Sequence, residues 1–477
     1  MTEASPPLKS WDDLDGPRGL PIAGNLFQIR LDALHRIFEQ WADRYGRLYR
    51  VRIGPVRLAV VSDPDAIKRM HRERPGLFRR TRTLEAVAAE MGLKGVFAAE
   101  GEDWLRQRKL VVRALNTAHL RTFFPKLAVI ARRLRRRWEQ AADAEAPVDL
   151  CHDLMRMTVD GVTGLAFGID FNTLETPGPV IQQKMDKVLP MIHRRVNAAF
   201  PYWRYLRLPE DRALDRALAQ LRVQVDDILR EVRERMRADP SLHASPTNFL
   251  EAVLAAGDAQ KLGLTDDVIV ANVCNLLLAG EDTTAHTIAW TVDYFIRHPE
   301  HFARARAEVD AVLGPAASVE RIEQTDCFPF LDAFFHEAMR LKPVAPVSVL
   351  EPMEDVEMVG CLIPKGTPIF GLTRHIATRD EHFSDAARFD PERWLEDGDA
   401  QRRRAHDTST FLPFGGGPRF CPGRNFALLQ IRTVLAMLCR NFDMAFADPK
   451  RPVEERLAFT MMPTGMVVRI RRRVDGG

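Results

Sequence analysis

Residues 413–429 read PFGGGPRFCPGRNFALL, a loop rich in glycine and proline that holds one cysteine, Cys421, and leads into an apolar helical pattern. A cysteine followed by proline predicts that Cys421 is the N-cap and Pro422 the first helical residue, where the missing N–H is not needed. The thiol would then face free backbone amides and the positive end of the helix dipole, and both favour the thiolate. We therefore expect Cys421 to act as a nucleophile or as a metal ligand.

The three glycines at 415–417 indicate that the loop backbone approaches something large and flat, because glycine has no β-carbon. A Cys-His enzyme would need a histidine, which the loop lacks. A phosphate-binding loop would need Gly-Lys-Ser/Thr, which is also missing. Composition alone leaves a plain glycine turn before a helix as the alternative.

The fixed positions of the loop follow the pattern Phe-x-x-Gly-x-Arg-x-Cys-x-Gly, at Phe414, Gly417, Arg419, Cys421 and Gly423. This pattern resembles, position for position, the haem-binding signature of the cytochrome P450 family. The resemblance implies haem b as the cofactor and Cys421 as the axial ligand of its iron. It also implies that Phe414 packs beside the thiolate, that Arg419 reaches a haem propionate, and that the two glycines shape the cofactor-binding loop.

Residues 265–297 show helical spacing throughout and contain LLLAGEDTTAHTIAW. Taken alone, Ala279-Gly280 could end one helix, and Asp282 or Thr283 could cap the next. The segment is similar to the family's Ala-Gly-x-Asp-Thr-Thr, which implies one distorted helix in which Thr283 donates its hydroxyl to the carbonyl four residues back. By the same resemblance, Ala279 and Gly280 lie against the haem. Asp282 would be a proton relay and Thr283 a hydrogen-bond donor on the oxygen-binding side.

Trp104 and Arg108 lie one helical turn apart in GEDWLRQRKLVVRAL. An amphipathic surface helix would explain this spacing as well. The pair resembles the family's Trp-x-x-x-Arg, which holds haem propionates, and we expect both residues to bind the cofactor.

Glu337 and Arg340 have the spacing of an ion pair on one helical face, as do Glu234 and Arg237. The first pair is flanked by phenylalanines, which favours burial, and buried charges need several partners. The Pro-Glu-Arg segment supplies a third charge, Arg393. The family has such a network behind the haem, so we expect these three residues to be structural.

Composition excludes several classes of protein. The chain has 477 residues, 46% hydrophobic and 28% charged, with a net charge of +3, which does not indicate nucleic-acid binding. None of the six cysteines forms a Cys-x-x-Cys pair, the N-terminus lacks the apolar core of a signal peptide, and no apolar run spans a membrane. We therefore expect a cytoplasmic protein without a membrane span.

Helical spacing dominates the chain and predicts helices that include residues 150–167 and 180–199. Short strands are predicted around Gly54-Pro55, in the proline-rich segment after residue 342, and at the C-terminus. The sequence thus predicts a mainly α fold with a minor β portion, in one large domain over residues 1–477. The resemblance implies a cytochrome P450 fold with the haem between the long central helix and the helix after the cysteine loop. We expect neither a fused reductase nor a membrane anchor.

The resemblance implies a monooxygenase that inserts one oxygen atom from O2 into a lipophilic small molecule by hydroxylation or epoxidation. Its electrons would come from a separate ferredoxin or flavodoxin with its reductase. A peroxide-driven peroxygenase and a non-catalytic haem-thiolate sensor are the alternatives. The expected substrate pocket is lined by residues 82–97, 188–205, 344–349 and 459–466. Its apolar members would include Met91, Val96, Phe200, Val347, Met461 and Met462.

Overall fold

Helices form most of the structure, and the central one runs without interruption from Asp266 to Arg297. The computed structural model describes residues 8–176, 185, 187–259, 264–395 and 406–473. The predicted break at Ala279-Gly280 is absent, so the single-helix interpretation is confirmed.

The helices are α1 (Leu34–Tyr45), α2 (Pro64–Arg72), α3 (Arg82–Glu90), α4 (Gly101–Ala114), α5 (Thr117–Asp143), α6 (Leu150–Phe167), α7 (Val188–Val196), α8 (Pro209–Ala238), α9 (Ser241–Ala244), α10 (Phe249–Ala259), α11 (Asp266–Arg297), α12 (Pro299–Leu313), α13 (Pro329–Leu341), α14 (Thr373–Ala377) and α15 (Arg424–Asn441). A helix was predicted over 180–199. Its described part is α7, and residues 180–184 and 186 lie outside the described residues.

The strands are β1 (Leu48–Ile53), β2 (Val56–Val61), β3 (Phe78–Arg79), β4 (Pro147–Asp149), β5 (Ser348–Pro352), β6 (Val356–Met358), β7 (Cys361–Ile363), β8 (Ile369–Gly371), β9 (Phe442–Phe446), β10 (Glu454–Ala458), β11 (Thr460–Thr464) and β12 (Val467–Arg472). The largest sheet has the order β1-β2-β8-β5-β3, and only the β2–β8 pair is parallel. The predicted hairpin at Gly54-Pro55 is confirmed, with Ile53 opposite Val56.

The central helix α11 holds the core together because it is buried along most of its length. Two aspartates, Asp266 and Asp267, occupy its first turn, where negative charge suits the helix dipole. Gly280 allows α6 to pack closely against it, since a β-carbon there would lie 2.6 Å from Cγ2 of Val162. Gly280 therefore makes room for a neighbouring helix, in addition to any clearance for a ligand.

A fully buried ion network centres on Glu337 of α13. Its carboxylate accepts two hydrogen bonds from Arg340, at 2.8 and 2.7 Å, and one from Nε of Arg393 at 3.2 Å. The indole of Trp394 and the amide of Asp390 donate to the same carboxylate. The predicted structural network is confirmed, and its carboxylate is fully surrounded by donors.

Among the helices of the described ranges, none combines the length and the apolar character that crossing a bilayer requires.

Candidate functional site

A cavity of about 590 Å³ lies between α11 and the cysteine loop, a volume typical of ligand pockets. Ala279, Gly280 and Thr283 of α11 line one side, and Cys421 and Gly423 line the other. The cavity thus occupies the space in which the sequence placed the cofactor.

The loop positions Cys421 through its backbone. The amide of Cys421 donates to the carbonyl of Phe414 at 3.0 Å, and Phe414 itself lines the cavity. The helix begins at Arg424 with Gly423 as its N-cap, so the prediction that Cys421 is the N-cap was wrong by two residues. The sulfur still meets the first turn of the helix, because the amides of Gly423 and Arg424 donate hydrogen bonds to it.

The protonation state of Cys421 follows from three competing influences. Burial raises the pKa of the thiol, and this influence is the largest. The two amides and the Arg108 guanidinium act in the opposite direction without reversing it. The predicted preference for thiolate is therefore not met by the protein alone, and a bound metal cation would be needed to deprotonate the sulfur.

Over the ranges that the structure describes, no three His, Cys, Asp or Glu side chains are grouped so as to hold a metal ion. In that part of the chain Cys421 does not belong to a cluster of protein metal ligands.

Positive charge is concentrated at one end of the cavity. The cavity-lining arginines are Arg74, Arg80, Arg108 and Arg419. One carboxylate lies among them, Glu100, which accepts a hydrogen bond from Nη2 of Arg419 at 2.5 Å. Burial, together with repulsion from neighbouring arginines, lowers the pKa of both Arg74 and Arg419 to about 10. The group as a whole, which we call the arginine wall, carries more positive than negative charge.

Several donors of the arginine wall have no hydrogen-bond partner within the ranges that the structure describes. They are the buried Nε and Nη2 of Arg74 and the buried Nε and Nη1 of Arg419. Unpaired buried donors are unfavourable, so this end of the cavity suits an anionic ligand. The guanidinium of Arg419 also lies 4.4 Å from the ring centroid of Trp104, which orients it.

Trp104 and Arg108 are both on the cavity wall, as the sequence predicted. Arg108 donates to the carbonyl of Phe420, next to Cys421, so α4 is joined to the cysteine loop. Sequence analysis missed Arg74 and Arg80, which lie in a segment without a recognisable motif, although both charges are buried or half-buried in the fold.

The glycines of the loop differ in what they adjoin. A β-carbon at Gly417 would lie 2.2 Å from the carbonyl oxygen of His71, and the residue has a φ of +63°. Gly417 does not line the cavity, so it makes room for the end of α2. Gly415 does line the cavity, and the prediction that it gives clearance to a flat ligand stays a prediction.

The hydrogen bond predicted within α11 is present. Oγ1 of Thr283 donates to the carbonyl of Ala279 at 2.7 Å, and Thr283 lies on the cavity wall. The next residue, Thr284, lines the cavity as well, whereas Asp282 does not. Burial raises the pKa of the Asp282 carboxyl to about 6.

The rest of the cavity is mainly apolar, and all four predicted segments contribute to it. Val96 and Val347 line it as predicted, but Met91 and Met461 are buried elsewhere, Met462 does not reach it, and Phe200 is 64% exposed. Sequence analysis missed the contribution of the N-terminal region. That contribution comprises Leu31, Leu34, Phe38, Ile53, Val56 and Leu58.

The residues present fit one kind of ligand. A flat apolar body fits between α11 and the loop, anionic groups fit the unpaired donors of the arginine wall, and a metal fits the sulfur of Cys421 as its single protein ligand.

Comparison with known proteins agrees with this geometry. A family model described as Cytochrome P450 matches residues 14–470. The curated relatives include the Arabidopsis thaliana Protein LUTEIN DEFICIENT 5, chloroplastic, which is 26% identical over 97% of this chain and 78% of its own length.

Two fungal relatives are longer than the matched region. The Self-sufficient cytochrome P450 monooxygenase CYP505E4 of Penicillium expansum is 24% identical over 97% of this chain. The Bifunctional cytochrome P450/NADPH--P450 reductase of Gibberella moniliformis is 24% identical over 96%. The chain spans 43% and 40% of these two proteins, which is less than half of either.

Solved structures share the fold at low sequence identity. The cytochrome P450DA heme domain superposes with a TM-score of 0.85 at 23% identity, covering 98% of this chain and 99% of that one. The cytochrome P450 CYP102L1 gives a TM-score of 0.83 at 24% identity, covering 96% and 99%.

Proposed function

The chain belongs to the cytochrome P450 family of haem b monooxygenases, and from this premise we propose that it inserts one oxygen atom of O2 into a lipophilic small molecule by hydroxylation or epoxidation. The observation that carries the proposal is the half-buried Cys421 thiol, which faces a large apolar cavity opposite Thr283.

The residues divide the binding of haem b among them. Cys421 would hold the haem iron through its sulfur, which the amides of Gly423 and Arg424 position by hydrogen bonds. Arg74 and Arg419 supply unpaired buried donors for the carboxylates of the cofactor, and Trp104 orients Arg419. When bound, the haem supplies the redox-active iron at which O2 is reduced and cleaved.

Further residues would contact the cofactor from the sides. Phe414 and Arg108 lie on the cavity wall near the sulfur. Ala279 and Gly280 present a helix surface without large side chains on the opposite side. Gly417 supports the loop from behind, through its packing against His71, so its contribution to cofactor binding is indirect.

Thr283 and Asp282 would manage protons on the α11 side. The Thr283 hydroxyl donates to the carbonyl of Ala279, and its oxygen can accept a hydrogen bond from a donor in the cavity. The Asp282 carboxyl, with its pKa raised to about 6 by burial, exchanges protons readily near neutral pH. Asp282 would thus supply protons, and Thr283 would position the molecule that donates a hydrogen bond to it.

The cavity wall indicates the substrate class. Beyond the arginine wall, its side chains are mostly aliphatic or aromatic, contributed by α3, α7, β5 and the β10–β11 hairpin. Such a surface excludes water and binds apolar molecules by burying them. We therefore propose a lipophilic substrate.

Electrons must reach the Cys421 side of the cavity. An exposed cleft beside it is lined by Arg108, Lys109, Val112, Arg113 and Asn116. Exposed apolar and basic residues together suit an acidic partner. We propose that a separate ferredoxin or flavodoxin docks there. A reductase joined in one polypeptide, as the names of the fungal relatives state for those proteins, is the alternative donor.

Arg432 of α15 forms ion pairs with Asp326 and Asp332, so its charge is compensated within the protein and we leave it out of the proposed docking surface.

The replacement Cys421→Ser tests the proposal directly. We expect loss of the carbon-monoxide absorption band that thiolate-ligated ferrous haem gives, because a serine hydroxyl does not provide a thiolate. Cys327→Ser, at an exposed cysteine, is the matched control and should keep the band. A wild-type band in Cys421→Ser would place the ligand elsewhere.

The replacement Thr283→Ala tests turnover with O2 against the alternatives. We expect the haem spectrum to persist while a larger share of the electrons appears as hydrogen peroxide. A peroxide-driven enzyme or a sensor would show no such diversion. The measurement is the ratio of peroxide released to reduced nicotinamide consumed, with a surrogate reductase.

A further inference from the structure

The position of Asp282 leaves a gap in the proposed proton path. Its carboxyl does not line the cavity, whereas Thr283, the next residue, does. A proton on Asp282 therefore needs an intermediate group to reach the cavity.

Thr460, the first residue of β11, occupies that place. It is 5% exposed, it lines the cavity, and its Oγ1 donates to Oδ2 of Asp282 at 3.3 Å. A hydroxyl has one donor hydrogen and two acceptor lone pairs, so Thr460 can form a hydrogen bond with the Asp282 carboxyl and a second one with a molecule in the cavity. Of the described groups, Thr460 is the side chain whose hydrogen bond acts on the Asp282 pKa.

The backbone around Thr460 fixes this contact. The amide of Met461 donates to the carbonyl of Val344 at 2.8 Å, and the indole of Trp290, on α11 itself, donates to the carbonyl of Met461 at 3.3 Å. These bonds hold the start of β11 against the helix that carries Asp282. These hydrogen bonds therefore keep Thr460 close to Asp282.

The residue before Thr460 is held in an unusual conformation. Phe459 is the only residue between the paired Ala458 and Thr460, and its φ is +83°, which is unfavourable for a side chain other than glycine. Its ring packs edge-on against Phe97, with centroids 6.0 Å apart. Backbone strain of this kind is retained where the position of a neighbouring group matters.

Among the described residues, no charged group contributes to the pKa of Asp282, which burial and the Thr460 hydrogen bond set. From α6, Cys151 faces this carboxyl, and the negative charge of Asp282 contributes to raising the pKa of that thiol. One turn along α11, His286 is kept neutral by burial, which lowers its pKa to about 4. The adjacent Glu281 is buried as well. The Thr460 hydroxyl therefore interacts with a carboxyl whose proton affinity is set mainly by burial.

We propose that Thr460 relays protons between the Asp282 carboxyl and the cavity. The inference rests on the proposed role of Asp282 as proton donor. When the Asp282 carboxyl is protonated, the hydrogen bond reverses: the carboxyl O–H donates to Oγ1 of Thr460, and the Thr460 hydroxyl turns its own hydrogen toward a water molecule in the cavity. The carboxyl proton then passes to Oγ1, while the original Thr460 O–H bond breaks and that proton passes to the water. One proton moves, Thr460 is unchanged, and Asp282 remains as carboxylate until a proton from solvent restores it.

The contact is tested by infrared difference spectroscopy of the holoenzyme during a pH titration, with Asp282→Asn identifying the carboxyl band. In Thr460→Val we expect the C=O band of the protonated carboxyl to move to higher frequency. We also expect its titration midpoint to rise, because the Thr460 hydrogen bond lowers the Asp282 pKa. Thr460→Ser should restore both values. Thr464→Val, on the same strand with its hydroxyl on a backbone carbonyl, is the control.

The relay itself is tested by oxygen consumption in H2O and D2O, with a surrogate ferredoxin and reductase as electron source. We expect Thr460→Val to slow oxygen consumption about tenfold and to change the solvent isotope effect, with recovery in Thr460→Ser. A wild-type band and midpoint in Thr460→Val would overturn the contact. A shifted band with wild-type rate and isotope effect would overturn the relay.

These outcomes separate the two proposals. If Asp282→Asn keeps the wild-type rate, the proton-donor role of Asp282 fails, and the relay fails with it. If Asp282→Asn is slow and Thr460→Val is not, only the relay fails.

Discussion

Two groups of buried arginines differ in how their charges are balanced. Around Glu337, the side chains of Arg340 and Arg393 share one carboxylate, and Arg340 also donates to a backbone carbonyl. In the arginine wall, Arg74 and Arg419 form ion pairs with one carboxylate, Glu100, and within the described ranges buried donors of both arginines have no hydrogen-bond partner. The Glu337 carboxylate is fully hydrogen-bonded within the protein, whereas the arginine wall keeps donors for a ligand. We therefore read the first group as structural and the second as a binding site.

The largest effect is expected at the Glu337 network. Glu337→Gln keeps the shape of the side chain but leaves two buried arginines without a counter-charge, so we expect a loss of about 3–5 kcal/mol in the free energy of unfolding. Urea denaturation measures it. Glu234→Gln, at an exposed residue with the same i,i+3 arginine spacing, should change stability little. Equal stability of the two variants would remove the contrast between the two groups.

The ion pairs of Glu455 form a second network within the protein, and their contribution to stability should depend on pH. Burial would raise the pKa of Glu455, but His35, Arg374 and Lys342 outweigh it and hold the pKa well below its usual value of 4.5. A lowered pKa stabilises the fold above the unfolded-state value, and this stabilisation is lost as the pH falls below about 4.5 toward the folded-state value.

Glu455→Gln should therefore destabilise the protein by about 1.5–3 kcal/mol at pH 7 and by much less near pH 3. Denaturation at several pH values measures the difference. Glu454→Gln, at the exposed neighbour, is the control. A destabilisation independent of pH would mean that the charge of Glu455 is not the cause.

The arginine wall should respond differently. We expect Arg419→Ala to accelerate loss of haem to an acceptor protein roughly tenfold, a change of about 1.4 kcal/mol, because the other arginines remain. The stability of the haem-free protein should not fall, since the substitution relieves repulsion among the arginines. Arg106→Ala, at an exposed residue of α4, is the control. A drop in haem-free stability without faster haem loss would make Arg419 structural.

The smallest effect is expected at the sulfur itself. Pro422 has no amide hydrogen, so the sulfur receives its backbone hydrogen bonds from Gly423 and Arg424. Pro422→Ala would add a donor beside the ligand, and we expect a slightly higher reduction potential of the haem iron. Spectroelectrochemical titration measures it, with Pro418→Ala as the control in the same loop. An unchanged or lower potential would contradict the prediction.

The sequence predicted those features that depend on local periodicity or on a fixed motif. The bounds of α6 agree with the prediction, and α11 begins one residue later than predicted. The buried Glu337–Arg340 pair was predicted from its spacing and its flanking phenylalanines, whereas the addition of Arg393 rested on the family resemblance. The sequence can predict such features because the residues that form a helical face are close together in the chain.

The features that the sequence did not predict depend on contacts between distant segments. Arg74 and Glu100 meet Arg419 from more than 300 residues away, and no spacing within either segment indicates it. The orientation of Asp282 depends on the rotation of α11 about its axis, which the packing of α6 at Gly280 determines. The prediction that Cys421 is the N-cap failed because Pro422 and Gly423 form a turn, and the helix begins only at Arg424.

The β10–β11 hairpin is fixed at one end and open at the other. Glu455, near its base, is bonded to His35 and Arg374 at 3.0 and 2.9 Å, whereas Leu457 and Phe459, near its tip, contact the cavity. In this short hairpin, Glu455 therefore stabilises the fold, whereas Leu457 and Phe459 shape the cavity. A library of variants at Leu457 and Phe459 would sample new substrates while the base retains the fold, so the hairpin is a natural starting point for directed evolution of this enzyme.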